Sequence, residues 1–133
     1  MESRKKILIV EDDSAMRNLL SDHLSRSYEI VQAEDGEQGY NFILDFHPDL
    51  VLLDLLMPKL PGLEMLERLR NNPDKALANT KVIIFSNFGK PEYMLKAKEL
   101  RADEYLVKAH TDLEEVAKKI EKILSETPGK AIF

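Results

Sequence analysis

Four stretches of this 133-residue chain run apolar residues into a group that can bind a cation or an oxyanion. "ILIVEDD" (7 to 13) closes on three acids, "VLLDLL" (51 to 56) carries Asp54 among leucines, "VIIFSN" (82 to 87) closes on Ser86 and Asn87, and "EYLVK" (104 to 108) closes on Lys108. A carboxylate within an apolar run costs on the order of several kcal/mol unless it is paired, hydrogen-bonded or bound to a cation. Asp54 is therefore either a structural liability or the purpose of its strand. Where such stretches converge, the carboxylates repel one another, so the group calls for a hard divalent cation, and oxygen-only ligands suit Mg2+. Lys108 can pair with Asp54 when no ligand is bound. An aspartate held by a metal and near a lysine is equipped to attack a phosphoryl group, because cations neutralise the incoming oxygens during in-line transfer.

Convergence depends on the elements that carry these residues, and the chain alternates regularly. Strands are read at 6 to 10, 28 to 33, within "PDLVLLDL" (48 to 55), at 81 to 86 and at 104 to 108. Between them lie helical patterns: Met16, Leu19, Leu20 and Leu24 in 14 to 24; Tyr40, Ile43 and Leu44 after an Asp35 to Gln38 start signal; Leu63, Leu66 and Leu69 after Pro61-Gly62; and 91 to 100. A final helix opens on a capping box at Thr111 to Glu114 and turns Leu113, Val116, Ile120 and Ile123 inward. Five strands alternating with five helices imply right-handed crossovers and a parallel sheet covered on both faces. In such sheets ligands sit beyond the carboxyl ends of the strands, where all four chemical stretches end.

Composition narrows the class. With 44% hydrophobic and 32% charged residues the chain reads as one soluble globular domain over 1–125, with 126–133 a tail or the start of a linker. No apolar run is long enough to span a membrane, and no cysteine is present for disulfide, thiolate or Cys-based zinc chemistry, which fits a cytoplasmic setting. A net charge of −5 argues against direct nucleic-acid binding.

Together, "ILIVEDDSAMR", "HPDLVLLDLLMPKLPG", "KVIIFSN" and "ADEYLVK" resemble the response-regulator receiver domains of two-component signalling. The resemblance implies a flavodoxin-like, doubly wound sheet of order 2-1-3-4-5. It aligns Glu11 and Asp12 with the family's acidic pair, since Arg17 follows the second acid by five positions, and leaves Asp13 as an extra acid at a helix start. It makes Asp54 the phosphoacceptor, with Asp12, Asp54 and the backbone carbonyl of Leu56 on Mg2+ and Glu11 acting through metal-bound water. Ser86 resembles the hydroxyl that receives a phosphoryl oxygen, Lys108 the family's lysine, and Tyr105 the aromatic that swings inward on activation. The implied donor is a histidine kinase phosphohistidine or a phosphotransfer protein, and the implied output face is the helix at 91 to 100, the fifth strand and the final helix, with scope for a phosphorylation-dependent dimer. None of His23, His47 and His110 has to be catalytic; His23 and His47 are expected on exposed surface.

Singly, these residues have plainer readings: Asp13 as a helix N-cap, Ser86 as a hydroxyl satisfied by backbone, Tyr105 as half-buried core, Lys108 as a solvated strand end. Asp54 has none, because no apolar-core role explains it. Three departures from the family touch loop geometry. Ala109 stands where a proline, often cis, usually follows the lysine, so a trans bond is expected; Arg101 stands where a glycine precedes "AD"; and Asn87 replaces a small residue. Leu56 and Phe88, each two positions after a site residue, are large and apolar, and are expected to keep water from an acyl-phosphate there. A haloacid-dehalogenase-type phosphatase also uses an aspartate after a buried strand, but needs a second acid at position 56, which is leucine. A flavodoxin-like electron carrier needs a Ser-, Thr- and Gly-rich phosphate loop, where this chain has "EDDSA". A degenerate receiver serving only as a protein-binding module is the remaining alternative. The chain either stands alone or is one piece of a longer protein.

Overall fold

Runs of Ile, Leu and Val without internal charge suit a sheet covered on both faces. In the computed structural model, which describes residues 4–126, they form β1 (Lys6–Val10), β2 (Glu29–Ala33), β3 (Leu50–Leu53), β4 (Lys81–Ser86) and β5 (Glu104–Val107). All neighbours pair in parallel in the order β2-β1-β3-β4-β5, the doubly wound arrangement expected. Every residue of the central β3 is buried.

The helices are α1 (Ser14–Leu24), α2 (Gly36–Phe46), α3 (Gly62–Arg70), α4 (Lys75–Ala78), α5 (Pro91–Glu99) and α6 (Leu113–Leu124), with a 3-10 turn at Lys108–His110. The count exceeds the expected five because α4, at four residues, is too short to display a period; Asp74 caps it and Leu77 and Ala78 anchor it in the core. The helices expected as fourth and fifth are thus α5 and α6. The last capping box lies one residue later than expected: Asp112 is the N-cap and Glu115 closes the box. Both registers satisfy the spacing rule, so sequence alone could not choose between them. Asp35 caps α2 as expected, and Gln38 reaches back to the N–H of Glu34. Leu19, assigned to the inward stripe of α1, is 53% exposed. It sits one step of about 100° from Leu20, and α1 meets the sheet through Leu20 and Leu24. Residues 127–133 of the expected tail lie outside the described residues. Among the described residues no helix is long and apolar enough to cross a membrane.

Alternation of side chains along each strand divides the core into two layers. Leu8, Val10, Val51, Leu53, Val82 and Ile84 face α2, α3 and α5, where Ile43, Leu66, Leu69 and Ala97 cover them. Ile7, Ile9, Leu50, Leu52, Ile83 and Phe85 face α1 and α6, covered by Leu20, Leu24, Val116, Ile120 and Ile123.

The turn from α5 into β5 keeps its left-handed residue although glycine is missing: Arg101 has φ 60°. The N–H of Ala102 donates to Ala97 O and that of Arg101 to Lys98 O, a Schellman closure. For a residue with a side chain this conformation costs on the order of 1 kcal/mol. Arg70 holds the turn in place. Its guanidinium, 7% exposed, donates to the carbonyls of Leu100 (2.8 Å), Arg101 (2.9 Å), Ala78 (2.8 Å) and Thr80 (2.7 Å). Burial lowers its pKa to about 10, with nearby Asp103 opposing the drop, so the group stays charged at neutral pH. Arg70→Met strips a donor from four carbonyls and is expected to lower the unfolding free energy by about 3 kcal/mol in urea denaturation. Arg101→Gly is expected to change it by less than about 1 kcal/mol, because relief of the left-handed strain is offset by the extra entropy of the unfolded chain.

Candidate functional site

Parallel strands joined by right-handed crossovers deliver all their carboxyl ends to one edge. Val10 pairs with Leu53, so Glu11 and Asp54 leave neighbouring strands at one level; the N–H of Asp54 donates to Val10 O at 3.0 Å, and that of Glu11 to Ala33 O at 3.0 Å. On the other side of β3, β4 ends in Ser86, which pairs with Val107, and Lys108 is the next residue. Asp54 therefore leaves the middle of the sheet, between the acids of β1 and the hydroxyl and ammonium of β4 and β5.

Glu11 and Asp54 are buried, 2% and 6% exposed, whereas Asp12 is open to solvent. One carboxylate oxygen from each of Glu11, Asp12 and Asp54 lies within 4.8 Å of the others. Lys108 is closer to Glu11 Oε1, at 2.5 Å, than to Asp54 Oδ2, at 3.5 Å; the expected pairing with Asp54 exists, but the ammonium bridges both acids. Three carboxylates against one ammonium leave an excess of negative charge, and the donor set is oxygen only, open on the Asp12 side. That chemistry fits a hard divalent cation. Asp13 turns away from this cluster: it caps α1 by accepting from the N–H groups of Ala15 (2.9 Å) and Met16 (3.3 Å), while its own N–H donates to Glu11 Oε2. Leu56 turns its side chain to solvent, 63% exposed.

Ser86 is 1% exposed, and its Oγ accepts from the N–H of Phe88 at 3.3 Å. The hydroxyl of Tyr105, a buried residue already directed inward, donates to the carbonyl of the same Phe88. One residue thus joins Ser86 to Tyr105 through its backbone, while its ring stacks on Tyr93 of α5 at 5.2 Å. Sequence reading gave Phe88 no such part, because a backbone contact leaves no residue-type signal. It also used Arg17 only as an alignment mark, whereas the guanidinium grips the acidic loop. Asn87 is exposed, the Lys108–Ala109 bond is trans, and His47 and His110 are exposed. His23, expected on open surface, is half-buried, with Nε2 3.7 Å from Glu114 Oε1.

Two glycines fix the loop that follows Asp54. A Cβ on Gly62 would lie 2.3 Å from Asp54 O, and one on Gly36 would lie 1.9 Å from Leu60 O. Both are van der Waals overlaps with backbone, which cannot rotate away.

Burial pushes the Glu11 carboxyl up to about 7, and the charge of Asp54 adds to the rise, outweighing the hydrogen bond from Lys108. Burial alone would lower the Lys108 pKa, but its hydrogen bond to Glu11 and the charge of Asp54 turn it upward. A carboxyl whose folded pKa exceeds its unfolded value contributes stability that is complete below about 4.5 and is lost as pH rises through about 7. The metal-free protein should therefore lose roughly 2 to 3 kcal/mol from this group between pH 5 and 8. Glu11→Gln should flatten that slope in urea-denaturation midpoints.

Residues 7–121 match the response regulator receiver domain. The DNA-binding dual master transcriptional regulator RpaA of Synechocystis sp. is 33% identical over 92% of this chain and 50% of its own length. The chemotaxis protein CheY of Halobacterium salinarum is 33% identical over 78% of this chain and 84% of its own. A CheY-like response regulator receiver domain from Methanospirillum hungatei superposes with a TM-score of 0.83 at 28% identity, covering 92% of this chain and 94% of that one. The chain spans about half the length of the first curated relatives it matches. The expected absence of a nucleic-acid partner is not borne out, since a relative of which this chain spans only half is DNA-binding by name.

Proposed function

The chain belongs to the response-regulator receiver family, and from that premise we propose that it accepts a phosphoryl group on Asp54 from a histidine kinase or phosphotransfer protein. The single observation that carries this reading is the convergence of Glu11, Asp12 and Asp54 carboxylates within 4.8 Å, with Lys108 bridging two of them. A carboxylate oxygen of Asp54 attacks phosphorus as the P–N bond to the donor histidine breaks, and that bond's electron pair returns to the imidazole. Asp12, Asp54 and the Leu56 carbonyl would hold Mg2+, with Glu11 acting through metal-bound water, and the ion would supply positive charge against the phosphoryl oxygens. Lys108 meets an oxygen of the transferred group from the β5 side, and Ser86 Oγ meets another. The domain is thus a signalling acceptor that assists its own phosphorylation and does not release a product.

The aspartyl phosphate adds about −1.5 to −2 charge beside groups already short of cations. Turning Ser86 Oγ toward it releases the N–H of Phe88, and the Phe88 carbonyl carries that change to Tyr105 and its ring to Tyr93. The face made by α5, β5 and α6 is the reader surface, for an output module, a separate target or a second copy. This is a shift between two arrangements rather than a new fold. Kinase-dependent signalling puts the domain in the cytoplasm, which the cysteine-free composition suits.

Incubation with a small phosphodonor and Mg2+, followed by mass spectrometry, should add one phosphoryl group, on Asp54. Asp54→Asn should abolish it, Asp12→Ala should weaken metal binding far more than Asp13→Ala, and amide shifts should extend to residues 91 to 120. Normal uptake at another residue would sink the assignment, and a chain that takes up none would be the degenerate binding module.

Leu56 and Phe88 bear on lifetime. Neither can orient an attacking water by hydrogen bonds, so hydrolysis lacks its positioning contribution and the phosphorylated form is long-lived. Because Phe88 is committed to the Tyr93 stack, Leu56→Asn is a cleaner probe than the double change with Phe88→Glu. Dephosphorylation at fixed Mg2+ should speed up several-fold in Leu56→Asn; an unchanged or slower time course would remove Leu56 from the argument.

A further inference from the structure

We infer that Arg17 is a positioning residue for metal binding, holding the acidic loop by its backbone; this rests on the reading of Glu11, Asp12 and Asp54 as the Mg2+ site. Its Nη1 donates to the carbonyl of Glu11 at 2.8 Å and lies 3.5 Å from that of Asp12, the two residues whose carboxylates join Asp54. The side chain is 13% exposed, and its Nη2 is 3.7 Å from Glu34 Oε2 in the segment after β2. The peptide groups of Glu11 are therefore fixed on both sides: its N–H by the Ala33 carbonyl and its C=O by Arg17. Asp13 adds a third restraint, donating its N–H to the Glu11 carboxylate. Among the described residues no hydrogen bond or ion pair holds the Asp12 carboxylate in this way. That carboxylate is exposed, so its direction depends on the peptide that Arg17 grips.

Two physical roles are open to a guanidinium here, and they have opposite signs. As a charge acting through space, Arg17 repels an incoming cation, and its removal would tighten Mg2+ binding. As a clasp on two carbonyls, it keeps the carboxylates aimed at one point, and its removal would loosen the loop and weaken binding. The geometry favours the clasp. The better of the two carbonyl contacts has full hydrogen-bond length, whereas Glu34, the carboxylate that Arg17 pairs with among the described residues, is 66% exposed and lies outside the acidic cluster.

The test is a Mg2+ titration of the full chain followed by the amide shifts of residues 11 to 13 and 54, with thermal unfolding in parallel. Arg17→Met should weaken Mg2+ binding about tenfold while unfolding stays cooperative. Arg17→Lys keeps the charge but loses the fork and should fall between parent and Met, and Glu34→Gln should stay within about twofold of the parent, because an exposed pair contributes little. Unchanged or tighter binding in Arg17→Met overturns the inference, and should that variant not fold, parent-like binding in Arg17→Lys overturns it. A parent chain that binds no Mg2+ would instead bring down the metal site itself, a result separable from failure of Arg17 because it appears before any substitution is made.

Discussion

A sheet edge that brings together three carboxylates and only one ammonium is short of positive charge, and most of what surrounds it keeps that shortage in place. Glu11 and Asp54 are nearly dry, and burial raises the Glu11 carboxyl to about 7. The backbone keeps both from turning out to solvent. Asp54 is tied to β1 through the Val10 carbonyl, Glu11 to β2 through the Ala33 carbonyl, and the loop beyond Asp54 is closed by glycines that leave no space for a side chain. The strain of like charges is converted into affinity for whatever brings positive charge to the mouth of the site.

The fold was legible because its strands are almost purely apolar and its helices carry regular stripes. The buried Asp54 was legible for the same reason: one charge in "VLLDLL" has no packing explanation. What escaped the sequence belongs to partners far apart along the chain. Arg70 and the α5 to β5 turn are thirty residues apart in sequence, and nothing at either place announces that a guanidinium will replace the steric freedom of a glycine. Phe88 escaped because its part is played by peptide groups. The capping box at α6 was found but misplaced, since Thr111 and Asp112 offer the same chemistry one residue apart, and Leu19 was misassigned because Leu at adjacent positions of a helix cannot both face the sheet.

The Ser86, Phe88 and Tyr105 chain gives the site a short mechanical reach. Two hydrogen bonds on one residue span the distance from the carboxyl end of β4 to β5, with α5 attached through a stacked ring pair. Arg70 anchors the other end of α5, at Leu100 and Arg101. The helix is held at its far end and engaged at its near end, so any displacement of Phe88 would tilt it rather than move it as a body.

The two-layer core has a thermodynamic corollary. The layer under α1 and α6 and the layer under α2, α3 and α5 share the strands but not their side chains, since alternate residues point to opposite faces. Side chains on opposite faces seldom share a packing neighbour, which is the circumstance in which free-energy changes add. A repacking at Leu20 or Ile120 and one at Leu66 or Ile43 should therefore sum, so the stability of each layer can be adjusted as a variable independent of the other.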